Sequence, residues 1–239
     1  MNDFTKPRVL APPRVLLVPS ASAIQALAFS SDGTRLALAR GSSVAVLDVE
    51  TGIQLFELDL GFTQARRVLF AGPGEARLAV SGQKGTEAVV WLVDLREAQV
   101  ALTLPGAEDV GVAGDFLVLG GKKVRRLRLD GTDEKELLRD SLGASVLGTG
   151  EGVALVLKPG KAGDGPVLAV NLETGERVSE LRAPSGRAEL LELIQSLKGN
   201  RQAIIVTMRT KTGSNTVLSN LAEGGPKRQR QQGNPNAPV

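Results

Sequence analysis

Short apolar runs alternate with tight-turn signals along the chain. In the stretch AFSSDGTRLALA (28–39), two apolar runs flank Asp32-Gly33, a pair typical of tight turns. The pattern predicts strands at Gln25–Ser30 and Arg35–Arg40. Two further apolar runs follow, at Val44–Val49 and Gln54–Leu60. We therefore expect four short strands joined by three tight turns.

This four-strand unit recurs along the chain. VLDVETGIQLFEL (46–58) returns as AVNLETGERVSEL (169–181) with the same Glu-Thr-Gly turn, and the two turns lie 123 residues apart, which is three periods of 41. A polar residue that ends the predicted third strand recurs in four units: Asp48, Asp94, Asp130 and Asn171. A period of this length indicates a fold built from repeated supersecondary units.

Five units can be delimited in this way. We expect them at about residues 24–61, 65–105, 107–140, 142–183 and 189–222. Many of their strands are apolar at consecutive positions, as in Val89-Val90-Trp91-Leu92-Val93. Consecutive apolar residues indicate that both faces of a strand are buried, as in a sheet packed between two neighbouring sheets.

The two ends of the repeat region complement each other. The fifth unit has only three predicted strands, whereas the run Arg14–Pro19 is a strand without a unit of its own. We predict that this N-terminal strand completes the fifth sheet and closes a ring, which removes two open sheet edges. Two alternatives stay open: a β-sandwich with accidental self-similarity, and an incomplete ring that another chain completes.

The quoted segments resemble the repeats of WD40-like and quinoprotein-like β-propellers. FSSDGTRLALA is similar to the turn between the first two strands of such blades, and the two ETG segments are similar to their third and fourth strands. The resemblance covers about residues 14–222 and implies a β-propeller. Together with the five units and the strand 14–19, it predicts an all-β, five-bladed β-propeller of four-stranded antiparallel sheets at residues 14–225, closed by that strand. The WD40 signature is incomplete, because the chain has no His and its one Trp (Trp91) precedes Asp94 by three residues.

Composition excludes several kinds of active site. The 239 residues include no His and no Cys, so a Ser-His-Asp or Cys-His site is impossible. The segment LDGTDEKE (129–136) lacks the spacing of an EF-hand, and GTGEG (148–152) precedes no predicted helix. Three carboxylate groups are expected to be solvated surface residues: Glu108-Asp109, Asp133-Glu134-Glu136, and Glu189 with Glu192. We predict no catalytic residue, no cofactor and no metal.

The net charge of +3 comes from one end of the chain. Three of the 29 basic residues lie in the segment 226–239, and the others balance the 26 acidic residues. We predict an N-terminal extension at 1–13 and a disordered basic tail at 226–239. The N-terminus lacks the pattern of a signal peptide, and no apolar run is long enough to span a membrane. A cytoplasmic location is therefore expected.

A second basic cluster, KKVRRLRL, lies inside the chain at 122–129. Alternate residues of a strand share a face, so Lys123, Arg125 and also Arg128 are not expected to align with Arg126. The cluster has no interleaved aromatic residues. This pattern favours a charged outer strand over a nucleic-acid-binding stripe.

The predicted function is a non-catalytic scaffold for protein–protein interaction, as the resemblance also implies. Loops on a rigid frame carry recognition, so we expect protein partners to bind the longest connections: SGQKGTE (81–87), KPGKAGDGP (158–166) and RAPSGRAE (182–189). The candidate partner-binding residues are Lys84, Lys161, Asp164, Arg187 and, in the tail, Lys227, Arg228 and Arg230.

Two other functions stay open. One is association with nucleic acid through the basic tail, whose binding would fall steeply with salt. The other is a propeller enzyme with an acid-lined central channel, which the Ala, Gly, Ser and Val residues of the predicted first strands disfavour.

Overall fold

The described part of the chain consists of β-strands and one 3-10 turn, Pro73–Glu75. A computed structural model describes residues 22–150, 152–158, 165–181, 189–198, 201–210 and 213–220. For the strands between residues 189 and 220, the structure gives the backbone pairing. Four sheets have four strands each and a fifth has three, and every neighbouring pair of strands in them is antiparallel. The all-β prediction is confirmed.

Strands that follow one another in the chain are neighbours in the sheets. Blade 1 comprises β1 (Ile24–Phe29), β2 (Arg35–Arg40), β3 (Ser43–Asp48) and β4 (Gln54–Asp59). Blade 2 comprises β5 (Gln64–Ala71), β6 (Arg77–Lys84), β7 (Glu87–Asp94) and β8 (Gln99–Pro105). Blade 3 comprises β9 (Ala107–Ala113), β10 (Phe116–Gly121), β11 (Val124–Arg128) and β12 (Lys135–Leu138).

Blade 4 comprises β13 (Ser145–Gly150), β14 (Val153–Leu157), β15 (Val167–Asn171) and β16 (Arg177–Leu181). The C-terminal sheet comprises β17 (Glu189–Lys198), β18 (Arg201–Thr210) and β19 (Gly213–Asn220). The first strands of successive blades, β1, β5, β9 and β13, lie beside one another, and β17 lies beside β13. The blades therefore radiate from a common centre, as in a β-propeller.

The core lies between the blades. In β7 all five residues from Val89 to Val93 are buried, as the consecutive apolar run predicted. Val89, Trp91 and Val93 pack towards blade 1, whereas Val90 and Leu92 pack towards blade 3. Alternate side chains of one strand thus join two separate cores, which explains why the run is apolar at every position.

Strand register repeats from sheet to sheet. Each first strand carries one extra residue opposite its second strand: Gln25, Arg66, Glu108, Leu147 and Leu191. Each fourth strand carries one opposite its third strand: Leu55, Ala101, Leu137 and Val178. Second and third strands pair without any shift in all five sheets. Bulges on the outer strands obstruct pairing with another sheet edge.

The first turn forms as its sequence predicts. Gly33 has a φ of 72°, and the Asp32 carboxylate accepts hydrogen bonds from Ser30 Oγ (2.7 Å), Thr34 Oγ1 (2.8 Å) and Thr34 N (3.0 Å). These hydrogen bonds, the one from Ser30 foremost, lower the pKa of Asp32 to about 2. Asp32 therefore organises the turn.

Three members of the predicted ladder end a third strand and fold the next turn. Asp48 accepts hydrogen bonds from Thr51 N and Oγ1, Asp94 from two backbone amides, and Asn171 from two. Asp130 is two residues out of place, because β11 ends at Arg128 and Asp130 lies within the following turn.

Two sets of chain reversals define two faces of the propeller. The turn face contains the turns between first and second strands and between third and fourth strands. A hydrogen bond between these two turns recurs in each blade: Val49 N to Thr34 O, Leu95 N to Ala76 O, Leu129 N to Asp115 O, and Leu172 N to Gly152 O. The connection face contains the turns between second and third strands and the links from one blade to the next.

Several predicted segments lie outside the described residues. These are the extension 1–13, the closing strand 14–19, the tail 226–239 and the residues Lys161, Asp164, Arg187, Lys227, Arg228 and Arg230. The five-bladed count, the ring closure and the domain boundaries stay predictions.

Candidate functional site

Lys84 lies at the tip of a hairpin on the connection face. The predicted loop 81–87 is wrong in part, because β6 continues to Lys84 and β7 begins at Glu87. Only Gly85 and Thr86 form the turn, with a φ of 64° at Gly85, the position that favours Gly in a two-residue hairpin. Ser81 is buried, whereas residues 83–87 are exposed. The accessible part of this segment is therefore the hairpin tip.

The other two predicted contact segments begin and end at strands that reach the same face. Lys158 N donates a hydrogen bond to Pro166 O at 3.0 Å, which brings together the two ends of the β14–β15 connection. The segment 182–188 joins β16 to β17 and therefore links one sheet to the next. The strand ends that flank the three predicted contact segments therefore reach the connection face, whereas residues 159–164 and 182–188 themselves lie outside the described residues.

The centre of the propeller contains a polar network that joins three blades. Arg67 of β5 lies with its Nε 3.5 Å from Asp109 Oδ1 on β9. Its Nη1 donates to Val110 O (3.1 Å) and to Val146 O of β13. Asp109 Oδ2 accepts a hydrogen bond from Val146 N at 2.9 Å. One ion pair therefore connects blades 2, 3 and 4.

The expectation that Glu108-Asp109 is a solvated pair is wrong for Asp109. Its side chain is 2% exposed. Burial raises the pKa of Asp109, against the opposing effects of Arg67 and of the Val110 and Val146 amides. A buried carboxylate in an inner strand is a feature that catalytic sites share, but here its oxygens are occupied by the chain's own donors. The arrangement is that of a structural clamp.

The extra residues of the inner strands contribute further links between blades. Gln25 Oε1 accepts a hydrogen bond from Ala65 N of blade 2, while Gln25 Nε2 donates to Gly41 O. Arg66 Nη1 donates to Glu108 O of blade 3 at 3.3 Å. The bulges therefore aim polar side chains at the next blade.

The internal basic cluster is neutralised by the acids that follow it. Lys123 pairs with Glu136 (2.6 Å), Arg125 with Glu134 (2.7 Å), and Arg126 with Asp133 (2.8 Å). Asp133 also lies 3.8 Å from Arg128 Nε.

Two of these arginines share one side of the strand. The guanidinium carbons of Arg126 and Arg128 lie 4.4 and 5.2 Å from the centre of the Phe116 ring. Arg128 thus lies with Arg126, and the prediction that it does not align with that residue is wrong. The pairing supports a charged strand and not a basic stripe. The prediction of an outer strand is wrong, because β11 is the third strand of its blade and β12 lies outside it.

The acids of LDGTDEKE point to different partners. Asp130 accepts from Thr132, whereas Asp133 and Glu134 pair with arginines of β11. Within the described ranges, no three carboxylates converge as a metal site. In the same ranges, no helix is long and apolar enough to cross a membrane.

No known protein-family pattern and no curated protein sequence matches this chain. Solved structures do match. Hydrazine synthase of Kuenenia stuttgartiensis superposes with a TM-score of 0.63 and 12% identity, over 89% of this chain and 67% of that one. A chain of the mitotic checkpoint complex superposes with a TM-score of 0.66 and 17% identity, over 85% of this chain and 64% of that one.

The WD40 domain of Neurospora crassa Pan2 superposes with a TM-score of 0.56 and 15% identity, over 86% of this chain and 64% of that one. The chain therefore has a β-propeller fold, and it spans about two thirds of the length of these proteins. The neighbours include an enzyme and a chain of a protein assembly. At these identities the similarity concerns the fold and not the activity.

Proposed function

We propose that this chain is a non-catalytic platform that binds a protein partner through the connection face. The observation that carries the proposal is topological: the two longest connections between strands, 158–166 and 182–188, both join strand ends at that face. At the same face the β6–β7 hairpin exposes residues 83–87 at its tip. A rigid frame that presents several connections together is the usual arrangement of a recognition surface.

The distribution of charge supports the same face. Most charged side chains of blade 3 and of the centre are paired within the chain. Lys84 and Glu87 face each other across the hairpin and make no ion pair with any described residue. Their charges are therefore available to a partner, which would gain specificity from them more than affinity.

The proposed platform has no catalytic role for Asp109, its buried carboxylate. Asp109, the most deeply buried carboxylate among the described residues, is held by Arg67 and by two backbone amides. A general base needs a free oxygen within reach of the proton that it abstracts. The clamp geometry favours a structural role for this group over a catalytic one.

We also propose that the C-terminal sheet is the fifth blade and that residues 14–19 complete it. The β17–β18 pair has the shift of a first and second strand, and the β18–β19 pair is regular like a second and third strand. The position of a fourth strand is then the outer edge of β19. In the other sheets that strand carries a bulge.

Blade 1 has an apolar side on which a fifth blade fits. Leu36 and Leu47 pair across β2 and β3 as Leu78 and Val93 pair across β6 and β7. In blade 2, Leu78 and Val93 pack on blade 1, the preceding blade. On blade 1 the side that carries them, with Leu38, faces away from blade 2. Leu27 and Phe29 of β1 alternate with residues packed on blade 2, and both are more than half exposed. Covering them would stabilise a closed ring.

Truncation tests the closure. Deletion of residues 1–20 should expose the edge of β19 and lower the melting temperature or cause aggregation. Deletion of residues 1–13, which spares the strand 14–19, is the control and should melt like the full chain. Equal melting of all three proteins would contradict closure by this segment.

Site-specific photocrosslinking in cell extract tests the face. A photoreactive residue in place of Lys84 should capture a discrete partner band. The control position is Glu97, exposed at the opposite end of the same blade. Capture from position 97 but not from position 84 would place the partner on the turn face and overturn the proposal. Failure of both positions to capture a partner would also count against it.

A further inference from the structure

The β6–β7 hairpin is longer than the corresponding hairpin of blade 1. Counted from the matching pairs Leu36–Leu47 and Leu78–Val93, the β2–β3 hairpin adds four pairs and closes at Arg40–Ser43, whereas the β6–β7 hairpin adds six and closes at Lys84–Glu87. Two extra pairs at about 3.4 Å per residue carry its tip about 7 Å farther out on the connection face. We call residues 83–88 the finger.

The finger is held at its base from both sides. Thr63 N donates a hydrogen bond to Gln83 O at 2.8 Å, and Gly106 N donates one to Ala88 O at 2.8 Å. Both donors belong to links between blades. Above this braced pair the hairpin has no neighbouring strand, because β5 and β8 reach no farther along it. The tip is therefore a projection on a fixed base.

One side of the finger is charged and faces blade 1. Val80 and Val89 pack towards blade 1, and side chains alternate along strands that pair without a shift. Lys84 lies four residues after Val80, and Glu87 lies two residues before Val89, so both side chains are on that side. Both residues are exposed. The finger therefore presents one positive and one negative charge, side by side, towards blade 1.

The connection face of blade 1 lies lower than the finger and forms a step with it. Its surface there is the β2–β3 turn and the link to blade 2, which are joined because Leu60 N and Gly61 N donate to Ser42 O (3.0 and 3.2 Å). Leu60 is buried, and Ser42 and Gly61 have no large side chain. The Asp59 carboxylate accepts a hydrogen bond from Gly61 N at 2.9 Å. The floor of the step therefore consists of small residues, which a polypeptide segment can approach closely.

We propose that a segment of a partner protein docks in this step, with an acidic side chain against Lys84 and a basic side chain against Glu87. The inference rests on the proposed function, because it specifies which part of the connection face the partner uses. Two opposite charges at fixed positions set the direction of the segment. Residues 83–87 include no apolar side chain, so the contact is polar. Glu87 beside Lys84 disfavours a nucleic acid, whose phosphates it repels.

Photocrosslinking from the floor tests the step. A photoreactive residue in place of Ser42, in the full chain and in cell extract, should capture the same band as one in place of Lys84. Replacement of residues 83–88 by Asn-Gly closes a two-residue turn after Gly82. This change should abolish capture from position 42, because it removes the charged side of the finger.

Charge variants that leave the hairpin intact give the decisive comparison, and they keep the test valid if the shortened chain does not fold. With the photoreactive residue at position 42, Lys84→Glu and Glu87→Lys should each lower the yield of the crosslinked band about tenfold, through loss of one charge-assisted hydrogen bond. The combined swap keeps the net charge but reverses the order of the charges, and it should lower the yield at least as much. Lys122→Glu, on the same face in blade 3, is the matched control and should leave the yield unchanged.

The outcomes separate this inference from the proposed function. Equal yield from the unaltered chain and the swapped chain would overturn docking in the step. Capture from position 84 without capture from position 42 would also overturn it and would leave the proposed binding face intact. Failure of both positions to capture a band would contradict both proposals.

Discussion

The centre of the propeller and its turn face use the same residue type in opposite ways. Asp109 is buried at the centre, where burial raises its pKa. Asp32 is exposed and Asp48 half-buried on the turn face, where hydrogen bonds from their own turns lower their pKa. The first aspartate joins three blades, whereas the other two organise only the few residues around them.

This difference separates two sources of order in the fold. The turn aspartates recur from blade to blade because each is satisfied within its own turn. The Arg67–Asp109 pair occurs in one place, because its partners come from three different blades. Local chemistry therefore shapes each blade, and long-range contacts such as the Arg67–Asp109 pair hold the blades together.

The largest expected effect comes from breaking the central pair. Asp109→Ala should lower the free energy of unfolding by about 3–5 kcal/mol, because it leaves Arg67 and two amides without their buried acceptor. Denaturant unfolding measures the loss. Asp109→Asn keeps one acceptor oxygen and should lose less.

Two further variants test whether the position or the residue type matters. Asp115→Ala, in the exposed turn of the same blade, should unfold like the unaltered chain. Arg67→Met combined with Asp109→Leu should recover part of the loss, since a matched apolar pair leaves no uncompensated charge. A loss below about 1 kcal/mol for Asp109→Ala would show that the clamp is dispensable.

A smaller effect is expected at the junction between blades 1 and 2. Glu75→Ala removes the acceptor of Ser31 N and the partner of Arg35, which should cost about 1–2 kcal/mol. Glu75 has a φ of 52°, a conformation strained for any residue except Gly. Glu75→Gly should therefore be less destabilised than Glu75→Ala by about 1 kcal/mol. Thermal unfolding of the two variants decides this, and the reverse order would contradict it.

The smallest effect is a difference in pH dependence between the two regions. The pKa of Asp32 falls from 3.8 to about 2 on folding, so its stabilisation is present above pH 4 and is lost as the pH falls towards 2. The pKa of Asp109 rises, so its contribution is present below pH 3.8 and is lost as the pH increases through the folded value.

The two asparagine variants should therefore show opposite trends. The gap in melting temperature between the unaltered chain and Asp32→Asn should narrow from pH 5 to pH 2. The gap for Asp109→Asn should widen over the same range. Parallel trends in the two melting series would show that the two aspartates do not differ in this way.

Local features of the fold could be predicted from the sequence. The predicted strand Arg35–Arg40 has the same bounds as β2, and Asp32-Gly33 forms the turn that its residue types favour. The consecutive apolar residues of β7 correctly indicated burial on both sides. These features depend on neighbours within a few residues, and the pattern of the chain reports such neighbours directly.

The central clamp was missed because its partners are distant in the chain. Arg67 and Asp109 are 42 residues apart, and Val146 lies in a third unit. The sequence did contain a signal. Arg67 and Asp109 each directly follow the extra residue of a first strand, so opposite charges occupy equivalent positions in two successive units. The bulges depend on how two strands pair, so the residue types of a single strand do not reveal where they occur.

The bulged outer strands have a consequence for the synthesis of the chain. The fourth strands β4 and β8 are open edges of their sheets, and such edges are also exposed to other chains during synthesis. The extra residues at Leu55 and Ala101 distort these edges against pairing with a neighbouring nascent chain on the same messenger RNA. Each of the four-stranded blades thus carries its own protection against edge-to-edge pairing with another chain.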